Sequence, residues 1–129
     1  MGQRAIDDPP VVLLVEDEPL VRMTAADELE EAAFQVLEAA DADVALKVLE
    51  ARSDEVHVLF TDVDMPGSMD GMALAEQVHR RWSHVLLLIS SGHARPHPDE
   101  IPDHGQFMPK PYGAATLVGH IHDLMQTLR

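Results

Sequence analysis

Short apolar runs alternating with segments of helical period constrain this chain most. Val11–Val15 (VVLLV) is solidly apolar, as expected of a strand buried on both faces of a sheet. Further runs lie at residues 34–39, 56–61, 85–89 and 106–109. Between them, apolar residues recur at helical spacing: Val21, Ala25, Leu29 and Ala32, then Ala45, Val48 and Leu49 behind a capping Asp41. Leu74, Ala75, Val78 and Trp82 follow Asp70, another cap, and Leu117, Ile121, Leu124 and Leu128 line a last helix. Pro19 suits a first helical turn. Repeated strand–helix units joined by right-handed crossovers predict a parallel sheet with helices on both faces. Residues 92–105 break the pattern: Pro96, Pro98 and Pro102 leave room for a short helix at most.

In such a sheet the carboxyl ends of the strands lie side by side and form the ligand crevice. Here those ends carry Glu16 and Asp17 after the first run, Asp62 after the third, Ser91 after the fourth and Lys110 after the fifth. Clustered carboxylates are costly unless a cation or a reaction uses them. Adjacent residues in a strand point to opposite faces, so Glu16 and Asp17 reach one ion only if the backbone turns there. Magnesium suits the set, because it takes hard oxygen ligands and few protein carboxylates. Pro109 and Pro111 restrict the backbone around Lys110, whose ammonium then suits a phosphoryl oxygen. By alternation only one of Ser90 and Ser91 faces the crevice.

Taken singly, each residue also has an ordinary explanation. Glu16–Asp17–Glu18 reads equally as a solvated turn, Asp62 as a turn residue, Lys110 as a surface lysine and the serines as a strand exit. Asp62-Val63-Asp64 also fits a general strand-end DxD pattern. His93, His97 and His104 share the proline-rich loop without the spacing of a helical ligand pair, and His120 and His122 do not share a helix face. It is the coincidence at four strand ends that carries weight.

Composition narrows the field. The 129 residues make one domain, read as a tail over 1–10 and a folded unit over 11–129. A formal charge of −14 repels nucleic acid and anionic membranes. The absence of cysteine excludes disulfides, thiol catalysis and cysteine-bound zinc. No apolar run approaches the length of a membrane span or a signal peptide, and Ile6 stands where a myristoylation signal needs Ser or Thr. A cytoplasmic protein is expected.

The stretches LLVEDEP, FTDVDMPGSMDG, ISSG and PKPY, in this order and setting, resemble the receiver domain of two-component response regulators, of the chemotaxis-receiver type. The resemblance covers nearly the whole chain. It implies an α/β, flavodoxin-like, doubly wound parallel sheet of order 2-1-3-4-5. The departure lies between Ser91 and Lys110, which is similar to receivers whose fourth helix is degraded or absent. By resemblance, Asp62 is the phosphoacceptor, Glu16 and Asp17 hold Mg2+ beside Asp62, and Asp64 lends the metal a backbone carbonyl. Ser91 is the switch hydroxyl, with Ser90 in reserve. Lys110 is the active-site lysine with a cis bond to Pro111, and Phe107 is the switch aromatic. The partners implied are a histidine kinase or histidine phosphotransfer protein and a downstream protein, with no direct nucleic acid or membrane contact. A phosphoacceptor that assists its own phosphorylation and dephosphorylation is expected, not a turnover enzyme. It is read as a stand-alone receiver or as part of a longer protein.

Other classes remain open at this level. Asp62 and Asp64 also match the nucleophile and general acid of haloacid-dehalogenase-like phosphatases, although the later acidic pair is missing: after Lys110 the sole acidic residue is Asp123. A magnesium-dependent nucleic-acid fold would use Glu16 with Asp62 and Asp64, against which the charge argues. A receiver used only as a non-phosphorylated interaction module is the third.

Overall fold

The computed structural model describes residues 9–67, 69–93, 96–102 and 105–126. The expectations placed on Ile6, His104 and Leu128 lie outside these residues, as does most of the expected tail.

The elements are β1 (Val11–Val15), α1 (Pro19–Glu31), β2 (Gln35–Ala39), α2 (Ala42–Arg52), β3 (Val58–Asp62), α3 (Gly71–Arg81), β4 (Leu86–Ser91), β5 (Gln106–Pro109) and α4 (Ala114–Gln126). The strands form one parallel sheet in the order β2-β1-β3-β4-β5. The order steps outward from β1 in both directions, so the carboxyl ends of β1 and β3 flank the switch point at which such folds bind ligands.

Two apolar layers sandwich the sheet, and strand alternation divides the residues between them. Leu13, Val15, Leu59, Leu87 and Ile89 pack with Ala45, Leu49, Leu74, Ala75 and Val78 of α2 and α3. Leu14, Val58, Phe60, Leu88 and Met108 pack with Ala25, Leu29, Leu117, Ile121 and Leu124 of α1 and α4. β1 is buried along its full length, while β2, at the edge, is largely open. Asp41 and Asp70 cap α2 and α3: each side chain accepts a backbone N–H three residues on, from Val44 and Ala73 at 2.9 Å. Pro19 occupies the first turn of α1, whose N-cap, Glu18, makes no side-chain cap.

The sequence reading needs correction at several boundaries. β2 begins at Gln35, because Phe34 turns into the α1–α4 layer and meets the His122 ring edge-on. β3 begins at Val58, because Ser53–Glu55 forms a 3-10 turn closed by the Val56 N–H on the Ser53 carbonyl. It ends at Asp62, which is therefore inside the strand, and β4 takes in both Ser90 and Ser91. Val21, placed on the inner face of α1 by its spacing, is exposed along with Leu20 and Met23.

Between β4 and β5 the described residues hold a single 3-10 turn, Pro98–Glu100. The buried Ile101 covers that flank by packing into the α2–α3 layer. The chain returns through Gly105, where an added Cβ would come within 2.6 Å of Ile101 Cγ2 and 3.0 Å of Leu87 Cβ.

Candidate phosphoacceptor site

The fold gathers Glu16, Asp17, Asp62 and Lys110 at one end of the sheet. One carboxylate oxygen from each of the three acids lies within 4.8 Å of the others. Glu16 and Asp62 are buried, at 4% and 6% exposure, whereas Asp17 is more open to water.

Glu16 is fixed from several directions. Its N–H donates to the Ala39 carbonyl at 3.1 Å, and its own carbonyl accepts Arg22 Nη1 at 2.7 Å. Its Oε2 accepts the Glu18 N–H at 3.0 Å, and its Oε1 accepts Lys110 Nζ at 3.1 Å. Arg22 also meets Glu38 at 3.2 Å, tying the start of α1 to β2. The chain turns directly after β1, which brings Glu16 and Asp17 to one side.

Asp62 sits at the end of β3, in register with Ser90 of β4. Lys110 Nζ stands 3.2 Å from Asp62 Oδ1, an ion pair that lacks hydrogen-bond geometry. That buried oxygen thus keeps lone pairs unused by any hydrogen bond among the described residues. Burial raises the Asp62 pKa above the ordinary carboxylate value; Lys110 opposes the shift, and Glu16 and Asp64 add to it. Burial by itself would lower the pKa of Lys110, but the bond to Glu16 and the charges of Asp62 and Glu16 carry it upward. The causes differ, burial first for Asp62 and carboxylate partners for the rise at Lys110, but both reflect a cluster in which several carboxylates share one ammonium. A divalent cation fits that cluster: hard oxygen donors, a buried oxygen with spare lone pairs, and one carboxylate open to water.

Lys110 follows β5 and its N–H donates to the Ser91 carbonyl at 3.0 Å. The Lys110–Pro111 peptide bond is cis. Both serines are buried, and they differ in their surroundings. Ser91 Oγ donates to Asp64 Oδ2 at 2.8 Å and accepts the His93 N–H at 3.0 Å. Ser90 Oγ has no hydrogen-bond partner among the described residues. Phe107 is partly buried against the α2–α3 layer.

Three contributors were not picked out from sequence. Arg22 secures the Glu16 backbone. Gly71 lies so close to Asp62 that an added Cβ would collide with the Asp62 carbonyl. Tyr112 stands edge-on to Phe60, with ring centroids 5.9 Å apart, beneath the site. The glycine after the capping Asp70 was the one available signal; the other two depend on contacts between elements. Beside Lys110, a cleft of about 380 Å³ runs between α1 and the segment after β5, lined by Leu20, Val21, Thr24 and Tyr112 among others.

The model of the response regulator receiver domain matches residues 12–122. The chain belongs to the response regulator receiver family. The receiver is 31% identical over 118 residues to the sensor kinase CckA of Brucella abortus, covering 89% of this chain and 12% of the kinase. It is also 31% identical over 122 residues to the nitrogen assimilation regulatory protein NtrX of Azorhizobium caulinodans, covering 92% of this chain and 26% of that protein. The chain thus spans a small part of the curated relatives it matches. Among solved structures, the receiver domain of the hybrid histidine kinase CckA superposes with a TM-score of 0.77 at 32% identity, over 88% of this chain and 97% of that one. A response regulator receiver protein from Sinorhizobium medicae gives a TM-score of 0.83 at 21% identity, over 92% of this chain and 96% of that one, a likeness of fold. No helix among the described residues is long and apolar enough to cross a membrane.

Proposed function

We propose that this receiver accepts a phosphoryl group on Asp62 from a phosphohistidine of a histidine kinase or histidine phosphotransfer protein. The observation behind this reading is the placing of a buried Asp62 between Lys110 and the Glu16–Asp17 pair, at the ligand end of a receiver fold.

A carboxylate oxygen of Asp62 attacks phosphorus, the O–P bond forms, the P–N bond to the donor imidazole breaks, and that ring leaves with the electron pair. Catalysis is chiefly positioning and charge neutralisation. Lys110 stabilises charge on the transferring group, and Glu16 and Asp17, with Asp62 and the Asp64 carbonyl, would hold Mg2+. The bound metal would supply the remaining positive charge. Burial keeps Asp62 ready for an incoming cation and phosphoryl group by making its bare carboxylate expensive. The product is an acyl phosphate whose oxygens draw the Ser91 hydroxyl toward Asp62, and Phe107 then turns inward and reshapes the neighbouring surface.

The reading is tested by incubation with acetyl phosphate and magnesium, followed by mass spectrometry. One phosphate-mass adduct per chain is expected, absent from Asp62→Asn. An undiminished adduct in that variant refutes the assignment.

A further inference from the structure

Ser91 Oγ lies 2.8 Å from Asp64 Oδ2. An ionised carboxylate has no proton, so at this separation the hydroxyl must donate. A serine hydroxyl carries one proton, which is therefore committed to Asp64. The same oxygen already accepts the His93 N–H at 3.0 Å. Ser91 is fully buried, so its rotamer is set by protein partners and not by water, whereas Asp64 is exposed. Asp64 also lies near enough to Asp62 to raise its pKa. A hydroxyl held this way cannot donate to a group on Asp62 until the bond to Asp64 breaks.

We infer that Asp64 is a positioning residue which holds the Ser91 hydroxyl in the resting arrangement and sets the cost of moving it to the phosphorylated one. The inference rests on the reading of Asp62 as phosphoacceptor and adds an element of its control. Asp64 competes with the phosphoryl oxygens for one proton. Its exposed carboxylate regains water when Ser91 leaves, so the bond is breakable. The buried hydroxyl cannot turn to water in the same way, so it moves only toward another acceptor. The side chain of Asp64 is separate from its backbone carbonyl, so side-chain substitutions leave a metal ligand at that carbonyl in place.

The test is a double-mutant cycle read by titration with beryllofluoride at saturating magnesium, followed by the amide resonances of His93 and Ser91. Asp64→Ala removes the acceptor and one negative charge, and both changes favour an anion on Asp62. In a Ser91→Ala background only the charge effect remains. The inference expects Asp64→Ala to tighten beryllofluoride binding several-fold more when Ser91 is intact than in the Ser91→Ala background. The excess should be roughly ten-fold if the bond is worth a typical charge-assisted one. Asp64→Asn retains an acceptor and should keep part of the restraint. It should also leave the His93 amide near its wild-type position, which Asp64→Ala should shift. Equal tightening in both backgrounds overturns the inference while leaving the phosphoacceptor reading intact. Failure of the wild-type protein and of every variant to bind beryllofluoride overturns both.

Discussion

Gly71 opens α3 directly against the carbonyl of Asp62, and a methyl group at position 71 would overlap that oxygen and the Val63 Cα. The Gly71 N–H also donates to the Val63 carbonyl at 2.9 Å. The start of one helix therefore sets the backbone of Asp62, the proposed phosphoacceptor. Gly71→Ala should destabilise the fold by about 1–3 kcal/mol, as overpacking does. Urea unfolding measures this loss. The variant that remains folded should also phosphorylate more slowly with acetyl phosphate, since Asp62 must shift to admit the methyl.

Lys110 is the one ammonium described beside Glu16 and Asp62. Lys110→Ala leaves two buried carboxylates without it. The loss at neutral pH should be about 1–2 kcal/mol, below the value for breaking a fully buried pair because water already reaches Lys110. Magnesium should then raise the thermal midpoint of the variant more than that of the wild type. Equal shifts would separate the metal from the charge surplus.

Tyr112 is the chain's sole tyrosine. Burial pushes its phenol above the ordinary value of 10.0, with Glu16, Glu28 and Asp62 adding to the effect. A raised folded-state pKa means that the neutral phenol contributes stability in full below the unfolded value, and that this is lost as pH rises toward the folded value. Phenolate absorbance should therefore stay absent near pH 10. It should appear together with the loss of far-ultraviolet circular dichroism in alkali. A free titration near 10.0 in the folded protein would contradict this.

Ala33, just after α1, takes φ 72°, a left-handed conformation that costs a side chain free energy. Ala33→Gly removes that cost and adds freedom to the unfolded chain. The net result should be a gain of about 0.5 kcal/mol, read as a higher urea midpoint with unchanged slope.

Much of this was legible in the sequence because burial on both faces leaves an unmistakable apolar run. Val11–Val15 and Gln106–Pro109 match their strands residue for residue. Asp41 and Asp70 were readable as caps because capping is local chemistry. Boundaries governed by distant partners were not legible. Phe34 leaves β2 for the His122 ring in α4, and no local pattern announces that contact. Val21 has the spacing of a core residue, yet no layer covers the start of α1. The site acids and Lys110 were readable from strand ends alone. Asp64 on Ser91 joins residues that topology, not spacing, brings together.

Among the described residues of the return from β4 to β5, Ile101 packs into the α2–α3 layer, where the neighbouring crossovers use whole helices. A single buried aliphatic contact asks less of its neighbours in sequence than a packed helix does. Sequence drift there should cost the fold almost nothing provided Ile101, Gly105 and Leu87 keep their mutual fit. This flank is thus open to acquiring a new shape while the cluster of Glu16, Asp17, Asp62 and Lys110 stays as it is.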